Sequence, residues 1–328
     1  MMTMVSIGLV LGAGGVVGGA FHAGVLAAVA DATGWDPRSA DLIVGTSAGA
    51  NTAASLRGGV SASDYFAVAT DRPLSPQGAA LTAERPGRLR MPIATNDRRP
   101  PWAYVPQAPW LVAPAFLRPG PARYGVAFAG LVPEGRASTA FMGERVRTLH
   151  HDRWPEQPTW IVAYRTRDGR RVVFGRDDVD VPDLGCAVEA SSAVPGRFAP
   201  VTLPSGRYLD GAVFSPTNAG LVAGLGFDLV LISAPMSVPS TSPSDRSLGG
   251  RVRLWFTSLL RAEIAAIEAK GTAVVAFEPT AEDLRVMYGS GDDDERAPLV
   301  SDAIYRSVRA RLDSPGQPLA LELLSSLG

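Results

Sequence analysis

Across its 328 residues the chain holds one cysteine, one lysine and three histidines. Cys186 has no second cysteine with which to form an intramolecular disulfide, and no Cys/His cluster beside it has metal-ligand spacing. It reads as a small buried helix residue. Lys270 stands alone among 31 basic residues, a bias of coding composition from which no function follows. Charge of either sign is not in excess: 31 basic against 32 acidic side chains leave a formal net charge of -1. No global positive field draws the chain onto nucleic acid, and that class of partner is set aside. The first residues lack a basic region and a small-residue cleavage site, and no uninterrupted apolar run approaches about 18 residues. Neither a secretory leader nor a membrane-spanning helix is expected, and the expected location is the cytoplasm.

Apolar residues make up 46% of the chain, enough for a substantial core. The length suits one domain over 1–328, with a core over 5–280, a cap or insertion at about 72–136 and a helical region over 281–328. Val5 to Leu11 reads as a buried strand, Gly12 to Gly19 as a tight loop, and Ala20 to Ala30 as an apolar helix. A second unit follows, with a strand at Asp41 to Val44, a turn at Gly45 to Gly49 and a helix at Ala50 to Arg57. Two consecutive β-loop-α units point to an α/β fold with a parallel sheet. From about Arg72 to Arg136 neither period is sustained, prolines recur, and aromatics from Trp102 to Phe116 follow an arginine cluster. Such a segment suits a lid that meets lipid, or an irregular stretch packing its aromatics on the main body. Hairpins are expected around Asp168-Gly169 and Pro204-Ser205-Gly206, helices at Asp183 to Ala193, Arg251 to Lys270 and Ala297 to Leu312, and strands at Leu229 to Ser233 and Ala273 to Phe277. Near Asn218 to Gly224 a short helix is expected, and Ser237 to Gly250 reads as a mobile loop.

Gly45-Thr46-Ser47-Ala48-Gly49 fits G-x-S-x-G, in which a serine sits on a sharp strand-to-helix turn with glycines relieving the crowding around it. A nucleophilic serine needs a base, and histidine is the usual one. His22 falls on the first helix, where a structural role is the default, and His150-His151 lies in a charged stretch that reads as solvated surface. A carboxylate can replace histidine where burial raises its basicity. Asp210, in Asp210-Gly211-Ala212 after a strand, meets that description. The third component is Gly12-Ala13-Gly14-Gly15-Val16-Val17-Gly18-Gly19, whose backbone N–H groups suit an oxyanion at roughly 3 kcal/mol per donor. The same glycines overlap a dinucleotide fingerprint, but Asp41 precedes its strand, whereas a ribose-binding acid follows one.

Together these segments resemble the patatin-like phospholipase family, whose glycine loop, G-x-S-x-G and D-G-[GA] signatures occur here in family order. The similarity extends to His22-Ala23-Gly24-Val25-Leu26 and to Ala190-Ser191-Ser192-Ala193-Val194-Pro195. The resemblance implies a three-layer α/β/α fold with a mainly parallel sheet, and a serine acyl hydrolase acting on lipid esters. Ser47 would be the nucleophile and Asp210 the base, and the N–H groups of Gly14, Gly15, Val16 and Ala48 would form the oxyanion hole. Gly12, Gly18, Gly45, Gly49 and Gly211 would shape the motifs. No metal or organic cofactor is implied, the partner is a lipid or acyl-ester substrate, and any membrane contact is peripheral and transient. The chain departs from the family at the loop arginine, whose place falls on Val17 or Gly18. That departure motivates a second expectation, a lipid-binding protein that retains the fold without turnover. Nucleotide binding is a third.

Overall fold

Both N-terminal units are present in the computed structural model, which describes residues 5–83, 106–112, 121–238 and 248–314. Strand β1 (Ile7–Leu11) leads into helix α1 (Gly15–Thr33), and β2 (Leu42–Gly45) leads into α2 (Ala48–Arg57). α1 begins at Gly15 rather than Ala20, because burying Val17 and Ala20 in the core offsets the poor helix propensity of glycine. Two helices too short to show a period follow, α3 (Ala62–Ala69) and α4 (Pro76–Thr82). Each opens on a serine cap, with Ser61 accepting from the Asp64 N–H and Ser75 from the Gly78 N–H.

Of the expected insertion, the arginine cluster and the aromatics Trp102, Tyr104 and Phe116 lie outside the described residues. What is described corrects the expectation of an irregular segment, since α5 (Pro121–Leu131) is a regular helix. Its proline stands at the first position, where a missing N–H costs no hydrogen bond. Trp110 is half exposed and donates its Nε1–H to the Thr166 and Arg167 carbonyls, both at 3.2 Å. The chain continues through α6 (Ala140–His150), the hairpin β3 (Thr159–Arg165) and β4 (Arg170–Phe174), α7 (Leu184–Ser191), and the hairpin β5 (Val201–Leu203) and β6 (Gly206–Asp210). In place of the helix expected near Asn218 there is one 3-10 turn, Ala219–Val222. Then come β7 (Leu229–Ser233), α8 (Leu248–Glu268), β8 (Ala273–Phe277), α9 (Ala281–Met287) and α10 (Asp293–Leu312). Most of the loop expected to be mobile between Ser237 and Gly250 lies outside the described residues.

The strands form one sheet in which β3, β2, β1, β7 and β8 are parallel neighbours, with β4, β5 and β6 added antiparallel. β3 has three partners but only two edges. Ile161 pairs with both Gly45 of β2 and Phe174 of β4, and Ala163 pairs with both Val172 of β4 and Asp210 of β6. β4 therefore holds one edge alone, while β2 and β6 share the other and meet end to end. Because they run in opposite directions, their C-terminal ends abut. Gly45 and Asp210 thus sit two β3 positions apart, opposite Ile161 and Ala163.

Alternation along β1 separates the two faces. Ile7, Leu9 and Leu11 belong to the cluster formed with α1, α2, α7 and α10, whereas Val10 joins the cluster under α8 and residues 219–222. The chain is therefore a mixed α/β structure with a central, mostly parallel sheet between helical layers. α1 has the length and apolarity of a bilayer-spanning segment, and that apolarity is explained by burial between the sheet and α10.

Candidate active site

The C-terminal end of β2 delivers Ser47 on a sharply turned backbone, with φ 56° and ψ -114°. Such a conformation persists only where the surroundings hold it. The Thr46 N–H donates to the Leu11 carbonyl and the Gly49 N–H to the Gly12 carbonyl, both at 3.0 Å, which stitches this turn to β1 and the glycine loop. The Ser47 N–H donates to Ser191 Oγ at 2.9 Å, and Ser191 in turn donates to the Val162 carbonyl at 2.7 Å. The flanking glycines are required by close approach. A Cβ on Gly49 would land on the Leu11 carbonyl oxygen, and one on Gly45 would stand 2.7 Å from the Gly49 oxygen.

Asp210 ends β6, and its carboxylate accepts from the Ala212 N–H at 2.9 Å and lies within the influence of the Ser47 side chain. Its own N–H donates to the Ala193 carbonyl at 3.0 Å, which ties the acid to the segment that also carries Ser191. Ser47 and Asp210 are 5% and 2% exposed, so the pair is almost dry. Burial pushes the Asp210 carboxyl up to about 7, a rise that the Ala212 N–H and the Ser47 side chain reduce but do not cancel.

Around this pair stand the N-termini of α1 and α2, side by side, with Gly18 packed on Ala48. Among the described residues, no protein acceptor takes the N–H groups of Gly14, Gly15, Val16 or Ala48, as expected for residues at and just before a helix start. Gly15 and Val16 are exposed, so this is the open side of the site. Gly12 is fixed from both sides. Its N–H donates to the Ser233 carbonyl at 3.0 Å, and its carbonyl accepts from Gly49 and from His22 Nε2–H at 2.8 Å. His22 Nδ1 is then the acceptor of the Ser233 hydroxyl at 2.7 Å. Desolvation lowers its pKa to about 4, so the ring is neutral near pH 7 and serves as a strut between α1, the loop and β7. Gly211, following the acid, receives a hydrogen bond at its carbonyl from Asn218 Nδ2 at 3.3 Å.

Sequence reasoning quoted Ser191 only for its likeness to the family and missed Asn218. Nothing in a local pattern marks either one, because both act across more than a hundred residues of chain on the serine turn. Two expectations need correction, and a third reading, on Asp41, agrees with the structure. His150 is not a solvated surface residue, since Nε2 meets the Ala54 carbonyl of α2 at 2.7 Å, although its neighbour His151 is exposed. Cys186 is half-buried rather than buried, and Arg147 donates to its Sγ at 3.2 Å. Asp41 accepts from the Ile7 N–H at 2.6 Å at the end of the sheet opposite the glycine loop, which removes it from any ribose position. Both positions to which the family arginine aligns, Val17 and Gly18, are buried, and Gly18 lies beside Ala48.

An α/β sheet carrying a strained serine against a buried aspartate, flanked by two helix N-termini, defines a protein built like a serine hydrolase. The patatin-like phospholipase family matches residues 9–223, and the chain belongs to that family. The family is one of lipid acyl hydrolases. Among solved structures, the crystal structure of VipD from Legionella pneumophila is similar at 12% identity with a TM-score of 0.44, covering 99% of this chain and 67% of that one. No curated protein matches the sequence.

Proposed function

We propose that the chain is a serine acyl hydrolase of lipid esters working through Ser47 and Asp210. The observation that carries this reading is a serine on a strained strand-to-helix turn beside a buried carboxylate whose pKa burial raises to about 7, with the Ser47 side chain among the groups that act on it. A base is most effective when its pKa is close to the working pH, and an ordinary aspartate near 4 would be too weak.

In the first half-reaction Ser47 Oγ attacks the ester carbonyl carbon while Asp210 accepts the hydroxyl proton. The tetrahedral oxyanion is met by N–H groups of Gly14, Gly15, Val16 and Ala48, already oriented and without internal acceptors. Collapse breaks the bond to the alkoxy oxygen, which leaves with the proton from Asp210. Water then repeats the sequence on the acyl-enzyme, Asp210 taking its proton and returning it to Ser47 as the acid departs. His22 takes no part, because both ring nitrogens are engaged in the strut.

Labelling with a fluorophosphonate probe, located by peptide mass spectrometry, tests the reading together with turnover of p-nitrophenyl esters. The expected result is label on Ser47 and ester cleavage, both abolished in Ser47→Ala while the fold persists. A folded wild-type protein that neither labels nor turns over would refute the hydrolase and favour a lipid-binding role.

A further inference from the structure

The segment from Ser215 to Ala219 carries no motif, yet all three motif-bearing segments are fastened to it. The Pro216 carbonyl accepts from the Ala13 N–H of the glycine loop at 2.8 Å. Of the two Asn218 Nδ2 hydrogens, one goes to the Ser215 carbonyl at 2.6 Å, and the other is shared between Thr46 Oγ1 at 3.2 Å and the Gly211 carbonyl at 3.3 Å. Thr46 is the residue before the nucleophile and Gly211 the residue after the acid. One amide nitrogen therefore bridges the Thr46 side chain on the serine turn and the Gly211 backbone on the acid turn, the two segments whose separation sets the distance from Ser47 to Asp210.

The orientation of that amide follows from its other end. Arg171 Nη1 lies 3.2 Å from Asn218 Oδ1, and a guanidinium only donates, so the oxygen must face Arg171 and the nitrogen must face Thr46 and Gly211. Asn218 is fully buried at φ 51°, a backbone region that asparagine tolerates better than most residues. A second anchor comes from α8. Glu263 accepts from Thr217 Oγ1 at 2.5 Å and from the Ala219 N–H at 3.1 Å, while the Arg171 charge opposes the rise that burial imposes on its pKa. Arg171 and Glu263 thus clamp the loop on either side of Asn218, from β4 and from α8.

We infer that Asn218 is a positioning residue for the reaction, holding the serine turn and the acid turn in register from a single side-chain nitrogen, with Arg171 orienting it and Glu263 anchoring its loop. This rests on the Ser47–Asp210 reading. A displacement of about 1 Å at such a site costs on the order of a hundredfold in rate, which is the leverage such a bridge has.

Asn218→Gly tests it, because glycine keeps the left-handed backbone and removes only the amide. Thr46→Val removes the serine-side acceptor alone, and serves if the glycine variant does not fold. Kinetics on a soluble p-nitrophenyl ester, the rate of fluorophosphonate labelling at Ser47 and the melting temperature are measured for both variants, the double variant and Ser47→Ala. In Asn218→Gly, kcat and the labelling rate fall together by on the order of a hundredfold. KM stays within about twofold, as expected for an interaction that acts on the transition state. Thr46→Val loses less, and the double variant is no worse than Asn218→Gly, since both cut one bridge. Full activity in a folded Asn218→Gly, additive losses, or a change in KM with kcat intact would each overturn the inference while leaving the hydrolase standing. Wild-type turnover that survives Ser47→Ala would remove the hydrolase reading, and the inference with it.

Discussion

Asp210 is the residue at which activity and stability pull in opposite directions. In the proposed mechanism Asp210 is the base and must be ionised, so turnover is expected to rise as pH climbs through about 7. Its effect on stability has the other sign. Between about pH 4, where an unfolded aspartate loses its proton, and about 7, the native carboxyl keeps the proton while the unfolded one does not. Its contribution to stability therefore falls as pH rises through that window. Asp210→Asn removes both effects: the variant is inactive at every pH, and above pH 7 it melts at or above the wild-type temperature. Rate and melting temperature measured against pH for the two proteins check this, and a wild-type rate with no limb near 7 would contradict the assigned role. The Ser47 N–H is taken up by Ser191, so in the proposed mechanism the oxyanion donors come from other residues.

At the level of elements, the site exists because strands end where others begin. β2 and β6 share one edge of β3 and abut at their C-termini, so strand pairing by itself brings a serine after the first near an aspartate closing the second, and the loops around them only fix their register. α2 must start close against β1 for this to work, and Gly49 permits it. Gly49→Ala would place a methyl group on the Leu11 carbonyl oxygen and force α2 off the strand. The expected cost is more than about 3 kcal/mol, above ordinary overpacking because the obstacle is backbone. Chemical denaturation of the variant checks this. Folding at wild-type stability would show that the turn has slack the geometry does not show.

For the whole molecule, the family match ends at residue 223, but the architecture does not. β7 covers the free edge of β1 and receives the Gly12 N–H at Ser233, while α10 lies along α1 with Val300, Ile304, Val308 and Leu312 buried. A chain ended after residue 223 would expose the β1 edge, the apolar face of α1 and the inward end of His22 at once. It should show no cooperative melting transition by circular dichroism and should aggregate. A sharp transition in that fragment would show that the matched region folds alone.

Sequence was sufficient wherever a local pattern had a local cause. The two β-loop-α units, both hairpins and the three motifs could be read from chain order, because alternation, glycine spacing and turn chemistry act within a few residues. The short capped helices α3 and α4, and α5 inside a proline-rich stretch, escaped that reading because two or three turns of helix are stabilised mainly by the surface they cover. The pairing of Ser47 with Asp210 was expected from the motif context and the lack of a suitable histidine, with a family likeness beside them, and its geometry came only from β3 accepting two strands on one edge. The strut of His22, the shelf of Ser191 and the bridge of Asn218 were likewise decided by tertiary structure. Each is a buried polar side chain whose partner lies far away in the sequence, and the need to satisfy buried hydrogen-bonding groups is met in space, where chain order has no say.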